Sequence, residues 1–174
     1  MTIYQSLFSV GERFAGKHTL FKWGFNLSPM YRTSTARIIS VSPDLHHVSV
    51  RLPIGFRNRN YVGSIFGGSM FAAVDPIPMV QLINILDNDY VVWDKSAHIR
   101  FKAPAREDLY ADFSYSDDEI ANIRQRVAEE NEFEFVKSTQ LTCYQRERTF
   151  CEVHKTIYVA SKDFYRQKAT ARRG

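Results

Sequence analysis

The chain is short of the features that would take it out of an ordinary globular interior. It has two cysteines, Cys143 and Cys151, in 174 residues. That is too few for a secreted disulfide scaffold, and cytosolic thiols stay reduced. The pair lies symmetrically about Glu147, so a hairpin there would make them cross-strand neighbours; two reduced, partly buried thiols are the plainer reading. Residues 1–14 lack a charged region followed by a clean apolar run, so no signal peptide or anchor is expected and the cytoplasm is the default location. Repeats, linkers and low-complexity segments are missing. His46, His47 and His98 have no spacing that suggests a metal site. Charge of one sign is also in short supply. The net charge of +4, with Lys168, Arg172 and Arg173 contributing, permits a phosphate-bearing ligand and does not demand nucleic acid.

What is present is aromatic. The content is 14%, with 13 Phe and 9 Tyr, which favours strands or an apolar cavity. The length suits one domain over 1–174. A core over about 30–160 is expected, with an N-terminal helix over 3–16 and a polar, basic, frayed tail over 163–174. Leu20, Phe21, Trp23, Phe25 and Leu27 read as core or lid aromatics, open to lining an apolar ligand pocket.

Period-two alternation predicts strands over 36–41 and 48–52 about a Ser42-Pro43-Asp44 turn. A long strand is expected over Tyr90–Phe101, with Ala97, Ile99 and Phe101 on one face. Another follows over 109–115. Ser116 and Glu119 form a capping box ahead of a short surface helix striped by Ile120, Ile123 and Val127. Two further strands, 132–144 and 149–159, turn at Arg146, Glu147 and Arg148. Strands in consecutive pairs predict an α+β protein. Its antiparallel sheet of about six strands would wrap one long central helix, with the N-terminal helix outside.

That central helix is read in residues 60–86, after a polar loop of Arg57, Asn58, Arg59 and Asn60. Asn60, Gly63, Gly67 and Gly68 open the stretch, which then becomes apolar nearly all round, the mark of a buried helix. Asp75, Pro76, Pro78 and Gln81 within it argue for a protein core and against a membrane span. Asp75 is the one charge in the run, and a lone carboxylate there needs an explanation. It has a structural one: Asp is a preferred N-cap and Pro is favoured at the next position, so Asp75 would cap a second segment starting at Pro76. Asn60 is equally a common turn residue, and Gly67-Gly68 would let the helix pack closely on the sheet.

The spacing Asn60-x-x-Gly63-x-x-x-Gly67-Gly68, followed by Asp75, resembles the phenylacetyl-CoA-type branch of the hotdog-fold acyl-CoA thioesterases. The context G-S-I-F-G-G-S and the strand V-V-W-D-K-S-A-H-I-R-F are similar to an uncharacterised thioesterase-like group of that fold. The likeness covers roughly 30–160. Phe66 stands where that branch has His. No His lies in 60–86, so the hydratase chemistry of the same fold is set aside.

The resemblance implies hydrolysis of an acyl-CoA thioester, or non-catalytic binding of a fatty acyl or acyl-CoA ligand. Hydrolysis needs donors for the oxygen that becomes negative and a group to supply or activate the nucleophile. The free N–H groups of Gly67 and Gly68 at a helix start would form the oxyanion hole. Asp75 would be nucleophile or general base, its apolar neighbours Val74, Ile77 and Met79 disfavouring the ionised form. Asn60 would hold the water or the acyl carbonyl. Gly63, Phe66 and Ser69 would flank the substrate. Arg57, Arg59, Arg100, Lys102 and Arg106 are candidates for the phosphates of coenzyme A. No metal is expected, and no cofactor beyond coenzyme A as part of the substrate. Gly67 and Asp75 are eight residues apart, about 12 Å along a helix. One chain cannot easily bring both to one thioester carbon, so a two-fold homodimer is expected, with a pairing of two dimers into a tetramer left open.

Overall fold

The computed structural model describes residues 16–86 and 88–171. The expected helix over 3–16 lies outside the described residues apart from Gly16, as does Asp87 in the turn before residue 90.

Helix α1 spans Lys17–Leu27 and a short α2 spans Pro29–Thr33. The aromatics left unassigned above therefore sit on a helix. Phe21 and Phe25, four residues apart, turn inward, and the Phe25 ring stacks edge-on against buried Tyr31 at 5.1 Å. Trp23 and Leu27 point outward, 53% and 64% exposed, so two of the five are not core. Strands β1 (Arg37–Val41) and β2 (His47–Leu52) follow, and the turn between them closes with the Ser42 hydroxyl donating to Asp44.

Helix α3 spans Gly67–Val74 and α4 spans Ile77–Ile85. The long helix expected over 60–86 is thus two shorter ones. The first starts at Gly67, where a helix start was expected, after a loop over 60–66. The run breaks because Pro76 and Pro78 have no N–H for the carbonyls of Ala72 and Val74. Asp75 (φ −52°, ψ −54°) and Pro76 (φ −79°, ψ −15°) form the turn between the two helices and keep right-handed helical dihedrals, so the winding continues while the hydrogen-bond ladder is interrupted. Side chains supply donors at the break: Tyr31 Oη to Ala73 O at 2.9 Å, and Lys155 Nζ to Asp75 O at 2.5 Å.

The remaining elements are β3 (Tyr90–Phe101), β4 (Leu109–Ser114), α5 (Asp117–Glu130), β5 (Glu132–Thr142), β6 (Thr149–Ser161) and α6 (Lys162–Ala171). Both halves of the capping box on α5 form, at 3.0 and 3.1 Å, and Ile120, Ile123 and Val127 are buried beneath it. Residues 162–171 are helical where a frayed tail was expected. Tyr165 stacks edge-on against Trp93 at 5.2 Å, and Lys168 pairs with Glu132. Those contacts secure a segment whose charge hid its pattern.

The sheet is six-stranded and antiparallel, in the order β1-β2-β4-β5-β6-β3. Its inner face and the helices enclose two apolar clusters. One lies under β1, β2 and β4 against α1, α2 and α3; the other joins α4 and α5 to the far ends of β5 and β6. Strand β3 is an edge, with β6 as its only strand neighbour among the described residues. In the β5–β6 hairpin Cys151 faces Leu141, not Cys143. The two thiols are buried, free and not cross-strand partners, because the register held along β5 and β6 from Glu132 to Leu141 sets Cys151 opposite Leu141, two residues before Cys143. Burial pushes the Cys151 thiol up to about 11.

Candidate functional site

The residues before α3 form a tight loop held by its own amides. Asn60 Oδ1 accepts from the N–H groups of Val62 (3.1 Å) and Ser64 (3.0 Å), and its Nδ2 donates to Ser64 Oγ at 2.9 Å. Its carbonyl accepts from Gly63 N–H, with Gly63 at φ +79°, a conformation that favours glycine. Asn60 spends its side chain on shaping the loop. Asn58, which the motif reading passed over, does as much: it is buried and reaches Thr35 Oγ1, Pro53 O and Gly55 N–H at 2.7–2.8 Å. Its carbonyl accepts from Phe66 N–H, which fixes where α3 begins.

At the helix start, Phe66 is the N-cap residue and makes no side-chain cap. Among the described residues nothing accepts from the Gly67 or Gly68 N–H, while those of Ser69 and Met70 bond Phe66 O. Two free donors at the positive end of a helix remain. Neither glycine has a positive φ; what each provides is room. A Cβ on Gly67 would lie 2.7 Å from the Phe101 ring, and one on Gly68 would collide with the Phe66 ring. Phe66 and Phe101, 58% and 53% exposed, flank these donors.

Asp75 sits at the other end of α3. Val74 and Ile77 beside it are buried, but its own carboxylate is 43% exposed and its partner is a cation. Lys155, on the inner face of β6, is 3% exposed along its side chain. Its Nζ donates to Asp75 Oδ1 (2.7 Å), to Asp75 O (2.5 Å) and to Asp94 Oδ2. An ammonium has three donors, and all three are taken. Asp75 makes no side-chain cap to α4, so the capping role expected of it does not occur. Asp94 owes its inward direction to a bulge in β3, where Lys95 is the extra residue between Asp94 and Ser96. Its Oδ1 is buried without a hydrogen-bond partner among the described residues. Burial holds the Asp94 carboxyl above the usual carboxylate range; Lys155 acts in the opposite direction and Asp75 in the same one.

Lys155 and Asp94 were not singled out from sequence. The signal was there in β6: Cys151, Val153, Ile157 and Val159 share one face with Lys155, and a lysine on an apolar face is rare unless paired.

The candidate cations divide. Lys102 is paired with Glu152 at 2.6 Å, and Arg106 reaches Val62 O at 3.5 Å. Arg57, Arg59 and Arg100 are exposed, without ion-pair partners among the described residues. Arg57 and Arg59 share the loop that leads to the Gly67 end. A cavity of about 370 Å³ opens elsewhere, among Pro43, Asp44, His46, Asn84, Asp117 and Arg124. None of the candidate site residues lines it, and neither do the aromatics of α1.

A six-stranded antiparallel sheet covered by helices, with an acid and free N–H donors at opposite ends of one buried helix, defines an α+β protein of a known type. Its fold is that of a Pseudomonas aeruginosa protein of unknown function described as a probable thioesterase. That structure is 23% identical with a TM-score of 0.67, over 78% of this chain and 89% of that one. A Chlorobaculum tepidum protein of unknown function matches at 13% identity and a TM-score of 0.64, over 92% and 95% of the chains. A Haemophilus influenzae thioesterase matches at 12% identity and a TM-score of 0.52, over 92% of each chain. No curated protein matches. The chain belongs to the family described as a domain of unknown function, DUF4442, which matches residues 17–159. No helix among the described residues is long and apolar enough to cross a membrane.

Proposed function

We propose that the chain is a hotdog-fold thioesterase that hydrolyses acyl-CoA thioesters as a homodimer. In this reading α3 and α4 together are the helix the sheet wraps. The observation that carries the proposal is the state of Asp75: a half-exposed carboxylate at the end of a buried helix, held by an ammonium from behind. Its second oxygen has no hydrogen-bond partner among the described residues. Such a group suits attack on a thioester carbon or proton removal from water. The unpaired N–H groups of Gly67 and Gly68 suit the oxygen that becomes negative. They lie about 12 Å from Asp75 in one chain, so the oxygen and the nucleophile would come from different protomers related by a two-fold axis. The free edge of β3, twelve residues long, offers a place for the second copy. Arg57 and Arg59 would meet the phosphates of coenzyme A.

The non-catalytic reading, in which the chain binds a fatty acyl group or acyl-CoA without cleaving it, is favoured by one specific feature. Phe66 and Phe101 occupy the approach to the glycine N–H groups. Thiol release across acyl-CoAs of graded chain length separates the two. Turnover that Asp75→Asn abolishes supports the hydrolase. Tight binding with no turnover supports the binder. Sedimentation of the same samples reads the assembly, and a monomer that turns over would remove the shared site.

A further inference from the structure

We infer that Lys155 is the positioning residue for Asp75, and that Asp94 holds Lys155 in place. The inference rests on the hydrolase reading for its kinetic consequence, and on the side-chain geometry for everything else.

Lys155 bonds both the carbonyl and the carboxylate of one residue. Two bonds from a single atom close a ring through Asp75 Cα and Cβ, which fixes the side-chain rotation as well as its place. One oxygen is spent, and the other is turned to the exposed side. Asp94 takes the third donor, so the ammonium has no other direction to point. The stem of Lys155 is packed within the core, with Val153 and Ile157 on the same face of β6. The carboxylate of Asp75 is therefore referenced to the sheet, and not merely to the end of a helix that two prolines have interrupted.

Nothing in this requires Lys155 to touch substrate. Three groups face Asp94 within electrostatic reach: Lys155 from β6, Asp75 from the helix break and Tyr115 just after β4. The titration of Asp94 therefore reports whether the cluster is assembled, independently of any turnover.

The experiment uses the full chain as wild type, Lys155→Met and Asp75→Asn. Each is assayed for acyl-CoA hydrolysis, and the Asp94 carboxyl is followed by carbon-detected NMR against pH. Lys155→Met keeps the stem and removes the charge. It should lower kcat on the order of 10²-fold, the usual cost of a misplaced reacting group, with KM within about two-fold. The Asp94 midpoint should rise in Lys155→Met, where a favourable cation is lost. It should fall in Asp75→Asn, where a repelling anion is lost. Wild-type kcat in folded Lys155→Met, or a raised KM with kcat unchanged, overturns the positioning role. If wild type cleaves no acyl-CoA, the hydrolase reading falls, and the two Asp94 shifts alone decide the positioning claim. If Lys155→Met does not fold, the Asp75→Asn shift decides it. An Asp94 midpoint indifferent to both substitutions means that no such cluster exists.

Discussion

Gly68 can be in the sequence for a ring or for a substrate, and one pair of substitutions tells which. Its backbone is ordinary, so alanine meets no strain there. In a helix alanine is better than glycine by as much as ~1 kcal/mol. In this chain the new Cβ collides with the Phe66 ring, which has to leave its position. That ring is exposed and free to move, and an off-rotamer side chain costs roughly 0.5–1.5 kcal/mol. The two effects cancel, so Gly68→Ala alone should change stability by less than about 0.5 kcal/mol. With Phe66→Ala already present the collision disappears, and the same substitution should stabilise by about 0.5–1 kcal/mol. Urea unfolding of the four proteins gives the coupling. Activity is predicted to behave differently. If a thioester carbonyl must reach the Gly68 N–H, a methyl group there obstructs it whether or not Phe66 is present, and kcat falls roughly 10²-fold in both backgrounds. Full activity of Phe66→Ala/Gly68→Ala would refute the oxyanion assignment and leave the glycine as space for a ring. Equal destabilisation in both backgrounds would refute the packing account.

Tyr31→Phe removes the donor to Ala73 O while leaving the ring in its buried place, and should cost about 1–2 kcal/mol by chemical denaturation; a neutral result would mean that the helix break does not depend on it. Replacing Arg57 and Arg59 together by alanine should raise KM for acyl-CoA roughly five-fold, and leave KM for a pantetheine thioester unchanged, as measured by initial rates on the two substrates. Bonds from Lys168 and Tyr158 hold Glu132 below the ordinary 4.5. Its folded value lies under its unfolded one, so its contribution is present above about pH 4.5 and is lost as pH falls through the folded value. Trp93 emission in a Trp23→Phe background should therefore report release of α6 in acid. Glu132→Gln should already lack that contribution at neutral pH.

The sheet was legible because its signals are local. Tyr90–Phe101 is the strand that alternation predicted, and Ser116 with Glu119 announced α5 at the right residue. The helix break was half legible. Pro76 and Pro78 are visible in the sequence, but the donors that make the break tolerable, Tyr31 and Lys155, are 45 and 79 residues away from Pro76. Asp94 was hidden for a different reason. Counting back from Phe101, Ile99 and Ala97 in steps of two makes Lys95 the inward residue. The bulge at Lys95 shifts that count by one and turns Asp94 inward. Pairing within a strand can be read from a sequence; an inserted residue that changes its parity cannot. Gly67, Gly68 and Asp75 were singled out because their spacing resembles a short-range family pattern, and the structure sets the two glycines at the start of α3 and Asp75 just past its end.

The place of Asp75 makes Lys155 necessary. The carboxylate follows the last turn of α3, where carbonyl groups without partners and the negative end of the helix dipole oppose an anion, by about 0.3–1 kcal/mol. Its own carbonyl has no N–H partner from Met79 and adds to that repulsion. The start of α4 gives little relief, because Pro76 and Pro78 remove two of the N–H groups that a helix start would offer. An ammonium brought up from the core answers the carboxylate and the carbonyl at once. The lysine in turn tolerates burial only because two carboxylates and a carbonyl receive it. Each partner should therefore be more costly to lose alone than in company. Lys155→Met should cost about 3 kcal/mol, the low end of the range for a broken buried pair, since both carboxylates are partly hydrated. In an Asp75→Asn background the same substitution should cost about 1–2 kcal/mol less. Unfolding of the single and double variants at one protein concentration measures this, and strictly additive losses would mean that the acid and the lysine are neighbours without being partners.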